Sequence, residues 1–161
     1  AIGTEVSDDG TPDVSAIGSM VGMLSPHLNS GDLFLLKTTL PIGSTQEIGE
    51  KLSENSGLAL DEQLFVAFSP ERIVEGRAME ELRSLPKIVG GVGPNSLSRA
   101  TEVMSIFGGT VIQVSDSNTA EMCKLIDNSY RMTRFGFSSD VAAVSWRNGI
   151  VAYEANKAAN K

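Results

Sequence analysis

The sequence predicts an α/β domain built on a mainly parallel sheet, followed by a long helix that opens an all-α region. Three observations predict it. Short continuous apolar runs, such as Leu33-Phe34-Leu35-Leu36 and Leu64 to Phe68, alternate with stretches of helical periodicity. Alternation of this kind implies right-handed crossovers and neighbouring parallel strands. From about Asn118 the pattern then becomes one helical stretch without proline that reaches about Asn148, interrupted only by Gly136.

Taken in order, Ala1-Ile2-Gly3-Thr4 reads as the last residues of a buried strand, and no methionine begins it. The polypeptide is therefore expected to be an internal piece of a longer protein. After the polar loop 5–10, Thr11-Pro12 reads as an N-cap followed by proline at the first helical position. The helix is expected to reach about Asn29, with Val14, Ile17, Val21, Leu24 and Leu28 as its inward stripe. Gly31-Asp32 turns the chain into Leu33–Leu36, a run suited to a strand buried on both faces.

Ser44 and Glu47 have capping-box spacing and predict a helix to about Asn55, closed by Gly57, with Ile48 and Leu52 inward. A strand over 64–68, a short helix over 79–83, a strand over 87–89, a helix over 96–107 and a strand over 110–114 complete the alternation. A helix of thirty residues is about 45 Å long, more than one small sheet covers, so its outer half must pack on a second domain or a partner subunit. Val151 to Asn160 reads as the opening of another helix.

Composition narrows the function classes. With 161 residues and 41% apolar content the chain suffices for one packed domain and part of a second. A net charge of -7 opposes binding to nucleic acid phosphates. No apolar run approaches the roughly 20 residues that span a bilayer, and no basic segment leads into an apolar one at the start, so a soluble, unexported chain is expected. The lone Cys123 allows no internal disulfide and fits a reducing cytoplasm. His27 has no carboxylate cluster beside it at ligand spacing, which leaves a metal site without support.

Two regions carry candidate chemistry. Phe68-Ser69-Pro70-Glu71-Arg72-Ile73-Val74-Glu75-Gly76 opens where an apolar strand stops, the place where open α/β sheets bind ligands. Glu71 and Glu75 there can act as a general base toward a hydroxyl or orient a sugar hydroxyl, or can simply be hydrated loop acids. Lys124 and Asn128 are four apart on the long helix and Arg131 continues their row, so a lysine and an amide can hold a water or a developing alkoxide. Alone, the row reads first as a solvated polar stripe.

Thr38 and Thr39 stand at a strand end stiffened by Pro41, and Thr4 occupies the same kind of place. Gly91-Val92-Gly93-Pro94-Asn95-Ser96 imitates a dinucleotide fingerprint, with Ser96 at the third glycine and Pro94 removing a donor, and reads mainly as a turn with a helix cap. Cys123 and Lys124, being adjacent, point about 100° apart, so the thiol reads as packed and inert.

Jointly, Gly3-Thr4, Gly10-Thr11-Pro12-Asp13, Thr38 to Ser44, the Ser-Pro-Glu loop, Val89-Gly90-Gly91, and Ala120-Glu121 with Lys124, Asn128, Tyr130 and Arg131 resemble the UDP-glucose/GDP-mannose dehydrogenase family across nearly the whole chain. The resemblance implies the second half of a Rossmann-like NAD-binding domain over 1–117 and the start of a helical central dimerisation domain over 118–161. It implies NAD as cofactor, oxidation of a nucleotide sugar at C6 to the uronate in two hydride transfers, and a homodimer through the helix 118–148. The family's acid/base glutamate falls on Glu71, and the lysine and asparagine that hold a water and the reacting oxygen fall on Lys124 and Asn128. Gly3, Thr4, Thr38, Thr39 and Glu75 match positions near NAD. The loop Glu71, Arg72, Ile73, Val74, Glu75, together with Lys124, Asn128 and Arg131, matches the surroundings of the sugar nucleotide.

Arg72, in place of a phenylalanine, is similar to the branch acting on UDP-N-acetylhexosamines, either N-acetylmannosamine or N-acetylglucosamine. Glu5 stands where the family usually has a proline, which adds negative charge near a pyrophosphate. The family's Gly-rich phosphate loop would lie before Ala1 and its nucleophilic cysteine after Lys161, so the polypeptide alone is expected to be inactive. A non-catalytic scaffold that pairs through the long helix, and a nucleotide-binding domain using the loop at Gly91, are the alternatives.

Overall fold

The computed structural model describes residues 4–72, 76, 81 and 83–160. Gly3, Ile73, Val74, Glu75 and most of the short helix expected over 79–83 lie outside the described residues. The chain divides into two compact units, Ala1–Lys124 and Leu125–Lys161.

In the first unit a small antiparallel ladder of β1 (Glu5–Val6) and β2 (Pro12–Asp13) precedes α1 (Ser15–Leu24). This corrects the expected helix start at Thr11-Pro12. Pro12 pairs with Val6 in the ladder, and just ahead of the helix Asp13 Oδ1 accepts the Ser15 N–H at 2.8 Å. The inward stripe is also narrower than its periodicity suggests. Ile17 and Val21 are buried, whereas Val14 and Leu24 are exposed.

A 3-10 turn over Ser25–His27 ends this helix, and exposed His27 sits in it. Then follow β3 (Leu33–Leu36), α2 (Ser44–Ser56), β4 (Phe65–Phe68), β5 (Lys87–Gly91), α3 (Pro94–Ser105), β6 (Val111–Gln113) and α4 (Ser117–Arg147). Strand order in the sheet is β3-β4-β5-β6. β3 and β4 are parallel, as are β5 and β6, which gives the expected mainly parallel character. β4 and β5 are antiparallel, with Ala67 opposite Gly91 and Phe68 opposite Gly90.

Core formation follows the period of two along β4. Val66 and Phe68 face a cluster with Ile17 and Val21 of α1 and Ile48 and Leu52 of α2, while Ala67 faces Val89, Ala100 and Met104. Helices therefore cover both faces. Fully burying a side chain such as Phe68, Leu52 or Leu64 contributes roughly 1.5–3 kcal/mol. β3, expected to be buried on both faces, has only Leu36 fully buried, because it is the end strand of the sheet among the described residues.

The capping box expected for α2 does not form. Ser44 Oγ donates to the Pro41 carbonyl at 2.7 Å, and the amides at the helix start are taken by a residue far away in sequence, Glu121. Gly57 closes the helix as expected.

The second unit comprises α4 from Leu125 onward and α5 (Ala152–Ala159), joined by a turn in which the Ile150 N–H donates to the Ser145 carbonyl at 2.9 Å. α4 runs through Gly136 unbroken. Trp146, Phe137, Phe135, Val144 and Tyr153 are all exposed there, Trp146 at 87%. Among the described residues no helix is long and apolar enough to cross a membrane.

Candidate functional site

The in-register pairing of β3 with β4, from Leu33 opposite Phe65 to Leu36 opposite Phe68, brings two strand ends to one place. Past these ends the ladder continues through the loops. The Ser69 N–H donates to the Leu36 carbonyl at 2.8 Å, and the Glu71 N–H donates to the Lys37 carbonyl at 3.2 Å. Lys37-Thr38-Thr39 and Ser69-Pro70-Glu71 therefore run side by side at the carboxyl edge of the sheet.

Glu71 is the hub of this edge. Its Oε2 lies 3.0 Å from Lys37 Nζ, and its Oε1 accepts the Arg72 backbone N–H at 2.9 Å. Lys124 Nζ donates to the Glu71 backbone carbonyl. The Lys124 side chain and the Glu71 backbone, from two widely separated motifs, are thus in direct contact.

α4 reaches this position for local and long-range reasons. Asp116 caps it, accepting the Thr119 N–H at 2.7 Å on Oδ1. That bond, followed by one from the Thr119 side chain, holds the Asp116 carboxyl below its usual 3.8. Gly90 on β5 lets the first turn approach closely, since a Cβ there would lie 2.1 Å from the Asp116 carbonyl oxygen and 2.9 Å from Ala120 Cβ.

Glu121, fully buried, then ties α4 to the loop after β3. Its Oε2 accepts the Gly43 N–H at 2.6 Å, and its Oε1 accepts the Thr45 N–H at 2.7 Å and the Thr45 hydroxyl at 2.6 Å. Carboxylate against the start of α2 is also favoured by the helix dipole.

Thr4 Oγ1 donates to the Thr39 carbonyl at 2.6 Å, joining two of the expected cofactor positions. Thr38 lines an open cleft of about 610 Å³ with Ile17, Met20, Phe34, Leu35, Leu36, Lys37 and Glu71. Its lining is mainly apolar, with the Thr38 hydroxyl, the Lys37 ammonium and the Glu71 carboxylate as its polar groups. Asn128 is half-buried on α4 within the second unit. Arg131, in the same unit, pairs with Asp127 one turn back at 2.7 Å. Cys123 is a half-buried free thiol.

The glycine loop at Gly91 is filled from within. Asp61 Oδ1 accepts the Ser96 N–H at 2.6 Å and Oδ2 the Asn95 N–H at 3.3 Å, so the amino end of α3 already holds an anion. A Cβ on Gly93 would meet that carboxylate at 2.3 Å. Glycine there serves the close approach of Asp61, which removes the ground for a phosphate site in this loop.

An open α/β domain in which a helix lysine reaches a glutamate at the strand ends is the class of protein these features define. Residues 1–108 match the family model described as the UDP-glucose/GDP-mannose dehydrogenase family, NAD binding domain. The chain belongs to that family, whose cofactor is NAD. The whole chain is 33% identical to a UDP-N-acetyl-D-mannosamine dehydrogenase of Escherichia coli K12 and 32% identical to one of Yersinia pestis, covering 40% of each. It superposes on the UDP-D-ManNAc dehydrogenase structure from Pyrococcus horikoshii with a TM-score of 0.91 and 28% identity, over 99% of this chain and 38% of that one. The chain thus spans about 40% of the length of the curated relatives it matches.

Sequence reasoning missed two residues of this edge. Lys37 reads as an ordinary strand end, and only its register opposite the Ser-Pro-Glu loop reveals it. Glu121 was part of the family pattern without a role, and its partners are 76 and 78 residues away.

Proposed function

We propose that the chain is part of a nucleotide-sugar 6-dehydrogenase, with the NAD-binding portion over 1–117 and the start of a helical central domain over 118–161. The substrate is a UDP- or GDP-sugar, best a UDP-N-acetylhexosamine, oxidised at its C6 hydroxyl to the uronate in two hydride transfers. The single observation that carries this reading is the contact between Lys124 Nζ and the Glu71 backbone carbonyl, which brings a helix amine to the strand-end residue that bears the acid.

In this scheme Glu71 takes the hydroxyl proton, directly or through a water. Lys124 and Asn128, one helical turn apart, hold that water and the reacting oxygen and stabilise the negative charge that develops on it. Thr4, Thr38 and Thr39, with Gly3 and Glu75, line the cofactor position, where NAD when bound supplies the hydride acceptor. The loop Glu71, Arg72, Ile73, Val74 and Glu75, together with Arg131, is the proposed sugar-nucleotide position. The names of the relatives support the N-acetylmannosamine form, and the absence of a built phosphate site at Gly91 removes the main competitor among nucleotide-binding readings.

The number of large exposed apolar residues in the second unit, Phe135, Phe137, Val144, Trp146 and Tyr153 among them, supports pairing of the helix 118–148 with a second copy. Cytoplasmic action fits the single free thiol. The test is NADH formation by the product of the complete reading frame, measured against a panel of UDP- and GDP-sugars. Two NADH per UDP-N-acetylhexosamine is the expected result, and no NADH with any of the panel overturns the reading.

A further inference from the structure

We infer that Lys37 is a positioning residue for Glu71 and, through Glu71, for Lys124. Its consequence for catalysis rests on the dehydrogenase reading, while its geometry does not. Lys37 is the first residue past β3, and its carbonyl accepts the Glu71 N–H at 3.2 Å while its Nζ lies 3.0 Å from Glu71 Oε2. The other carboxylate oxygen, Oε1, is held by the Arg72 N–H at 2.9 Å. With one oxygen on an ammonium and the other on a backbone amide, the plane of the carboxylate is set.

The same residue's carbonyl then receives Lys124 Nζ, so one ordered glutamate joins the end of β3 to the start of α4. Charged groups facing Glu71 include Lys37 from the strand end, Lys124 from α4, Arg72 beside it in the loop, and Glu81, which lines a small cavity of about 30 Å³ with Lys37 and Glu71. Lys37 and Glu71 are 37% and 43% exposed, and a pair so solvated adds little to stability. Its contribution is orientation of the base, where a displacement of about 1 Å can cost about 100-fold in rate.

The test has two arms. In the full 161-residue chain labelled with carboxyl-¹³C glutamate, the Glu71 resonance, assigned with Glu71→Gln, is expected to move in Lys37→Met and in Lys37→Gln and to return in Lys37→Arg. Unchanged amide spectra elsewhere report that the variants fold. In the product of the complete reading frame, Lys37→Met is expected to lower kcat about tenfold or more with KM for the nucleotide sugar within about threefold, and Lys37→Arg to restore most of it. A Glu71 resonance that stays in place in both neutral variants overturns the inference, as does an equal loss of kcat in Lys37→Arg. Failure of the dehydrogenase reading shows itself separately, as wild-type protein that forms no NADH while the carboxyl resonance still responds to Lys37.

Discussion

Glu121→Ala is expected to be among the most damaging single changes in the first unit, and its magnitude can be worked from the hydrogen bonds it removes. The carboxylate is fully buried and accepts two backbone N–H groups, from Gly43 and Thr45, and the Thr45 hydroxyl. The hydroxyl can rotate to another acceptor, but the two amides cannot. Each buried donor left unpaired costs about 1–3 kcal/mol. Loss of an acidic group at the start of α2 adds about 0.5 kcal/mol, and relief from burying a charged group offsets part of the sum. The net expectation is about 3–4 kcal/mol, which for a chain of this size lowers Tm by about 10 °C. Glu121→Gln, which keeps one acceptor and turns an NH2 toward the other donor, should fall between wild type and alanine. Urea unfolding gives the free energies, and amide hydrogen exchange at Gly43 and Thr45 gives the local effect. A cost below about 1 kcal/mol, or unchanged exchange at both amides, would refute the reasoning.

Two further outcomes follow from the caps. Asp61 has φ of +62° and holds the amides of Asn95 and Ser96, so Asp61→Ala should lose the cap and retain the backbone strain, costing about 2 kcal/mol. Asp61→Gly should lose the cap but relax the strain, and a glycine variant less stable than the alanine one in urea would contradict this account. Asp116 contributes with a definite sign, because its carboxyl titrates below 3.8 in the folded chain. Its stabilisation is present above the unfolded value and is lost as pH falls through the folded one. Asp116→Ala should therefore cost about 1 kcal/mol near pH 7 and progressively less as the carboxyl protonates in acid, measured by paired urea midpoints.

Much of the element order was legible because burial writes a period into each segment. Continuous apolar runs marked β3 and β4, and the run without proline marked α4 almost to the residue. Local signals failed where a distant partner competed for the same groups. Thr11-Pro12 carries a good helix-start signal, but Pro12 also suits the short ladder with Val6, and that pairing won. Ser44 and Glu47 have the spacing of a capping box, yet Glu121 reaches the amides of Gly43 and Thr45 first. No window of sequence contains both sides of that contest. The nearness of Glu71 and Lys124, though not their roles, was legible because strand ends and helix starts gather at one edge of an open sheet. Lys37 was not, since its meaning depends on a strand register that only the fold sets.

Turnover of Lys124→Ala in the product of the complete reading frame is the measurement that bears most directly on the proposed site. With NAD and a UDP-N-acetylhexosamine supplied, the account predicts that kcat falls about 100-fold or more while the variant keeps its fold and its affinity for NAD. Turnover equal to wild type would contradict it.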